Sequence, residues 1–340
     1  MRNRFFWLLA TIMMCGAMLT GLTSCSDNDN NSSDNQNKVA VLLPDGASLA
    51  RWITDKANLE AVMAAYGFDA TFYVAPETPE GAVLQVEQLK EAINAGVKYI
   101  VLTSIDYKKI NESGLLEQHP DVKVVCHDRY ILDNPSVAYI SSANTREVGR
   151  LQAQFLLNHY HSCGEPVLSL EILAGPNTDI NAKAYYDGAM ELLNPYIASG
   201  KLVIVSNRTE YDQVSEDSWM ISDAKIAMQD RLTFYNPGDR PDMVLAAIDN
   251  QAQGVIEALG LAGITDMPVI TGQDNTAMAQ SNIKRHLQTM TIDKNLKDMA
   301  YNTGLIVNGL LSNSPVQASQ KVSGIPVFYA PLTVMTVDSY

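Results

Sequence analysis

From Lys38 onward, short runs of β-branched and aliphatic residues alternate with stretches whose apolar positions recur at helical spacing. The run KVAVLL opens the series and a helical pattern follows over 50–66. A strand pattern at 70–74, a helix at 81–95 and a strand at 99–102 continue it. Such units in succession predict α/β architecture, a parallel sheet with helices on both faces. Further strands are expected at 122–126, 137–140, 167–172, 202–205, 243–246 and 269–270. About ten βα units over roughly 300 residues are too many for one sheet and predict two doubly wound lobes. No Pro/Ser/Gly-rich linker separates the halves, so short crossings near 141–143, 290–293 and 316–324 should form a three-segment hinge. The division expected is 38–142 plus 294–318 for the N-terminal lobe, and 143–293 plus 319–340 for the C-terminal lobe.

The N-terminus is patterned differently. Arg2 and Arg4 precede an apolar run over 5–19 that closes on Leu22-Thr23-Ser24-Cys25. This is the layout of a signal peptide, and the run is short for a membrane span, which takes about 20 predominantly apolar residues. The small residues before Cys25 resemble the lipobox of bacterial lipoproteins, in which the cysteine takes lipid on its sulfur. The expectation is therefore a signal peptide over 1–24 and a lipid-anchored flexible tether over 25–37, on the periplasmic face or the outer cell surface. The tether sequence SDNDNNSSDNQN carries no apolar residue and cannot bury surface to offset its ordering entropy.

Composition narrows the partners. With 46% hydrophobic and 18% charged residues over 340 positions the chain has material for a folded core. Its formal charge is -14, and loss of 1–24 removes arginines but no acid, so the body repels nucleic-acid phosphates. Of four cysteines, Cys15 leaves with the signal and Cys25 is lipidated; Cys126 and Cys163 fall in different lobes and read as free thiols.

No phosphate loop, dinucleotide fingerprint, nucleophile elbow or zinc-protease motif occurs, so no catalytic residue is assigned and the chain is not read as an enzyme. His159, His161 and Cys163 stand two apart on a helix end and point to different faces, and the adjacent Cys126-His127-Asp128 alternate direction; neither makes a metal site. No metal and no cofactor is expected. In open parallel sheets, ligands bind outside the carboxyl ends of the strands, which singles out 44–51, 127–129, 175–181, 249–251 and 272–275. A neutral polyol needs planar donors and acceptors for paired hydroxyls and an aromatic face for its C–H side. Arg51, Trp52, Asp128, Arg129, Asp179, Asn181, Asp249 and Asp274 supply these at strand ends, and Trp219 stands where a loop starts a helix. Carboxylates in a closed cleft need cationic partners, which Arg51, Arg129 and Lys294 provide.

The stretches RWITDK, CHDR, YISSAN followed by EVGRLQAQ, DINAK, LNPYIASGK, GQD and QTMTIDK run in this order between 39 and 331. Together they resemble the bacterial periplasmic sugar-binding proteins of the ribose/galactose type, most closely those for xylose. The resemblance implies a type I fold of two lobes joined by three strands. It places sugar contacts on Arg51, Trp52, Asp128, Arg129, Asp179, Asn181, Trp219, Asp274 and Lys294. One departure bears on specificity: where the family has Ser-Asn-Asp, this chain has Ala247-Ile248-Asp249. Ile248 in place of the contact asparagine leaves a sugar hydroxyl unpartnered, worth about 1–3 kcal/mol, unless Asp249 or Asn250 turns in. The calcium loop of alternating acids carried by the galactose-binding relatives is not repeated in the body of this chain. The function expected is capture of a monosaccharide by a monomer, an aldopentose such as xylose first and a hexose second, for an ABC permease. The alternative is a sugar sensor reporting to a membrane receptor such as a sensor kinase. A LacI-type regulator would need a basic N-terminal helix-turn-helix. A glycoside hydrolase would need a raised carboxyl, whereas carboxylates beside arginines are lowered.

Overall fold

The computed structural model describes residues 37–47 and 49–340; the expected signal peptide, Cys25 and all but the last residue of the tether lie outside them. The first half runs β1 (Lys38–Pro44), α1 (Arg51–Ala65), β2 (Asp69–Ala75), α2 (Pro79–Asn94), β3 (Tyr99–Leu102), α3 (Tyr107–Glu112), α4 (Leu115–Gln118), β4 (Lys123–His127) and β5 (Val137–Ala143). There follow α5 (Thr145–Cys163), β6 (Leu168–Leu173), α6 (Ile180–Ala198), β7 (Leu202–Val203), α7 (Tyr211–Val214), α8 (Ile221–Leu232), β8 (Met243–Ala246), α9 (Asp249–Leu261), β9 (Val269–Ile270), α10 (Ala277–Lys284) and β10 (Thr291–Asp293). The chain closes with α11 (Leu296–Leu311), β11 (Gln320–Val322), β12 (Ile325–Ala330) and β13 (Thr333–Met335).

The N-terminal lobe is built on a seven-stranded sheet in the order β11-β12-β5-β4-β3-β1-β2, parallel except for β11. The C-terminal lobe carries a four-stranded parallel sheet, β7-β6-β8-β9. Both sheets are covered by helices. Val39, Val41 and Leu43 of β1 pack with Leu59 and Met63 of α1 and with Ile306 and Val307 of α11, while Ala40 and Leu42 face Leu89 of α2. On the other lobe Leu170 and Ile172 of β6 share a core with Leu156 of α5 and Leu193 of α6. Local chemistry starts the helices where the loops need them. Thr78 accepts from Gly81 N with Pro79 in the first turn of α2, Asn144 accepts from Glu147 N at α5, and Asp179 accepts from Asn181 N at α6.

The chain crosses at Asn144 between β5 and α5, just past the expected 141–143, and at 294–295 between β10 and α11, just past the expected 290–293. The third crossing lies outside the expected 316–324. β12 pairs with β5 in parallel, from Val327 opposite Ile140 to Ala330 opposite Ala143, so residues 320–330 belong to the N-terminal sheet rather than to the C-terminal lobe. The crossing lies at 331–332, before β13, which pairs antiparallel with β10 as a separate two-stranded ribbon. The reason is an edge: without β12, the backbone groups of β5 would lack a ladder on one side.

Cys126 is buried in β4 and Cys163 is exposed at the end of α5, both as free thiols. Among the described residues no helix is long and apolar enough to cross a membrane.

Candidate functional site

The order β4-β3-β1-β2 reverses direction at β1, and loops leaving the carboxyl ends on either side of such a point open a crevice. From the N-terminal lobe, the segment after β1 brings Arg51 and Trp52, that after β2 brings Glu77, and that after β4 brings Asp128 and Arg129. Facing them, the segment after β6 brings Asp179 and Asn181, the one after β9 brings Asp274, and the hinge after β10 brings Lys294.

These side chains form one buried ionic network. Arg51 sits in the first turn of α1, where the helix dipole disfavours a cation. Carboxylates surround it: Nη2 reaches Asp55 Oδ2 at 2.7 Å and Asp128 Oδ1 at 3.2 Å, and Nη1 reaches Asp274 Oδ1 at 3.4 Å. Lys294 Nζ lies 2.9 Å from Asp274 Oδ1 and 3.7 Å from Asp128 Oδ1. Arg129 pairs with Glu77 through Nη1 and with Asp179 Oδ2 through Nε at 2.7 Å. Arg51–Asp274 and Arg129–Asp179 therefore tie the lobes together.

Burial alone would raise the Asp128 carboxyl, but Arg51, Lys294 and Arg129 outweigh it and hold the group well below the usual carboxylate range. Burial likewise opposes the charge on Arg51 and Lys294. For Arg51 the carboxylates of Asp128, Asp55 and Asp274 more than compensate; for Lys294, Asp274 and Asp128 contribute to the same result. At Asp179 burial prevails over Arg129 and raises the carboxyl.

Asp128 has φ 60° and Asp274 φ 95°, a backbone region that costs an L-residue about 1–3 kcal/mol. Both carboxylates are aimed into the network at that cost, an arrangement that clusters at ligand clamps.

The aromatic groups are held by the same network. Trp52 Nε1 donates to Glu77 Oε2 at 2.9 Å, and its ring lies 4.4 Å from the Arg51 guanidinium carbon and 5.0 Å from that of Arg129. Trp219 Nε1 donates to Asp179 Oδ2 at 3.0 Å. A Cβ on Gly175 would come within 1.9 Å of the Trp219 ring, so only glycine lets the ring lie against that backbone. Ile248 joins Trp52, Trp219, Tyr185, Met290 and Ile292 in one apolar cluster drawn from both lobes and the hinge.

Asp249 is placed otherwise than the sequence expects. Its Oδ1 accepts from Gln288 Nε2 at 2.9 Å and Thr291 Oγ1 at 2.7 Å, and its Oδ2 from Thr276 N at 2.9 Å and Thr276 Oγ1 at 3.1 Å. The carboxylate braces the loop that carries Asp274 instead of joining the network. Asn250 Nδ2 donates to Trp219 O at 3.2 Å, which ties the start of α9 to the Trp219 loop.

Asp55, Glu77, Tyr185, Gln273 and Gln288 are neighbours of this site that the sequence reading passes over. Asp55 was accessible through its i,i+4 spacing from Arg51, and Glu77 through the strand-end rule applied to β2. Several buried polar atoms find no hydrogen bond among the described residues: Arg51 Nε, Asn181 Oδ1, Gln288 Oε1 and both side-chain polar atoms of Gln273. Buried polar groups are seldom left without a partner. With Asp55, Glu77, Asp128, Asp179 and Asp274 against Arg51, Arg129 and Lys294, the network holds no surplus cation for an anionic guest.

Two α/β lobes joined by three short crossings, with polar strand-end loops of both meeting in the cleft, define a hinged two-lobed binding protein. The chain belongs to the periplasmic binding protein family, whose domain model matches residues 39–313. It is 30% identical over 278 residues to the multiple sugar-binding periplasmic receptor ChvE of Rhizobium radiobacter, covering 80% of this chain and 77% of that protein. It is 26% identical over 279 residues to the D-xylose-binding periplasmic protein of Haemophilus influenzae, covering 82% and 79%. Among solved structures, an ABC transporter solute-binding protein from Clostridium phytofermentans with bound β-D-glucose superposes with a TM-score of 0.81 at 25% identity, covering 89% of this chain and 95% of that one.

Proposed function

We propose that this protein captures a neutral monosaccharide between its lobes, an aldopentose such as xylose first and a hexose second, and hands it to an ABC-type permease. The observation that carries the reading is the buried network of Arg51, Asp128, Asp274 and Lys294, with unsatisfied polar atoms of Arg51, Asn181 and Gln273 beside it. Charges neutralised by one another present paired donors and acceptors to hydroxyl groups without selecting for ligand charge. In this reading Arg51, Asp128, Arg129, Asp179, Asn181, Asp274 and Lys294 contact sugar hydroxyls, while Trp52 and Trp219 face the C–H side. Asp249 acts through the Asp274 loop. The names of the relatives support a sugar, and the glucose-bound solute-binding protein supports transport. Retention at the membrane through a lipid on Cys25 belongs to the same proposal. Because the relative from Rhizobium radiobacter is named a receptor, delivery of the occupied form to a sensor is the second reading.

A thermal-shift screen of pentoses, hexoses, nucleosides and sugar acids tests the ligand class. Neutral pentoses and hexoses are expected to raise Tm; a shift confined to nucleosides or sugar acids contradicts the proposal.

A further inference from the structure

Arg51 is itself held from within the N-terminal lobe. Asp55 stands one turn beyond it in α1 and is fully buried. Asp55 Oδ2 pairs with Arg51 Nη2 at 2.7 Å, while its Oδ1 makes no hydrogen bond among the described residues and lies 3.5 Å from Nε2 of His127, at the end of β4. That nitrogen has no hydrogen-bond partner among the described residues either, and the ring is fully buried. Two orphaned atoms thus face each other. The second ring nitrogen, Nδ1, lies 2.8 Å from Thr303 Oγ1 on α11.

Which nitrogen carries the ring proton follows from the partner of the other. Thr303 Oγ1 has one hydrogen and two neighbours to give it to, Nδ1 and Met299 O at 3.0 Å. Met299 O already accepts from Ser141 Oγ at 2.8 Å and, as a carbonyl inside α11, from the amide one turn on. Both its lone pairs are taken, so the Thr303 hydrogen goes to Nδ1 and the ring proton sits on Nε2, toward Asp55. The opposite tautomer would set a bare nitrogen lone pair against a buried carboxylate. The carboxyl agrees: burial alone would raise it, but Arg51 and then His127 hold Asp55 below its ordinary value.

We propose that His127 is a positioning residue for sugar binding: its Nε2–H fixes Asp55, and Asp55 fixes the Arg51 guanidinium. This rests on the reading of the network as a sugar site. A carboxylate anchored through one oxygen can swing and carry Arg51 with it; anchored through both, it holds the guanidinium in one orientation before the guest arrives.

NMR of the intact protein with 15N-labelled histidine reads the proton directly, since of the five histidines His127 alone is buried and its N–H should exchange slowest with solvent. Its Nε2 should resonate as a protonated nitrogen; a neutral ring protonated at Nδ1 overturns the proposal. Calorimetric titration with xylose and glucose reads the consequence. His127→Gln keeps an N–H near the place of Nε2, whereas His127→Asn reaches only that of Nδ1. The Asn variant should bind sugar about tenfold or more weakly, and the Gln variant within about threefold of the unsubstituted protein. Unchanged affinity in a folded His127→Asn, or equal loss in both variants, overturns the proposal, because a side chain that only fills space would not distinguish the two amides. Should either variant fail to fold, the resonance decides alone. If no sugar binds the unsubstituted protein, the sugar reading falls and the positioning role with it, while the resonance still shows whether His127 donates to Asp55.

Discussion

Asp249 meets four hydrogen-bond donors and, among the described residues, no salt-bridge partner. Burial first, and then the charge of Asp274, push its carboxyl up to about 7 from an ordinary 3.8. Over roughly pH 4 to 7 the folded protein therefore keeps a proton that the unfolded chain has released. Protons bound in the folded state exceed those in the unfolded state across that window, so this group's contribution to stability falls as pH rises and is flat outside it. Asp249→Asn cannot ionise and removes the slope. Relative to that variant, the unsubstituted protein should lose on the order of a few kcal/mol between pH 4 and pH 7 in urea unfolding. Parallel pH profiles would contradict the assignment. The sequence marks Asp249 as a strand-end carboxylate, and nothing local tells whether such a side chain turns to a ligand or to its neighbouring loop. That choice is made by Gln288 and Thr291, about forty positions away. The buried pairs Arg51–Asp128 and Arg129–Asp179 were legible as residue types, because an acid in a closed cleft requires a cation.

At the scale of elements, the strands β1 to β5 were readable because each is a short apolar run between turn signals, and their carboxyl ends then named the candidate loops. What could not be read was the sheet that a strand joins. Nothing in IPVFYA specifies β5 as its neighbour; the pairing depends on an edge created nearly two hundred residues earlier. Val327 is 2% exposed and shares the core of Ile140 and Val124. Val327→Asp would bury an unpaired carboxylate there and should destabilise the protein by about 3 kcal/mol or more in denaturant unfolding. A change below about 0.5 kcal/mol, the range of an ordinary surface substitution, would mean that β12 does not complete this sheet.

For the whole molecule, the hinge crossings at 144, 294–295 and 331–332 let two separately cored lobes approach along one cleft. The Arg51–Asp274 and Arg129–Asp179 pairs each join the two lobes, so any separation of the lobes would break them. Location belongs to this scale as well. If lipid on Cys25 retains the protein, Cys25→Ala should move it from the membrane fraction to the soluble fraction; sedimentation unchanged by the substitution would contradict the anchor.

The central claim is that the interlobe network binds a neutral sugar, and calorimetric titration of xylose and glucose into the protein and into Asp274→Ala tests it most directly. Asp274 stands between Arg51 and Lys294, so its loss leaves two buried cations without that partner and removes the acceptor for sugar hydroxyls. The account predicts saturable one-to-one binding of at least one of these sugars to the unsubstituted protein, weakened by about a hundredfold or more in Asp274→Ala. No heat of binding at millimolar sugar, or equal affinity in both proteins, would contradict it.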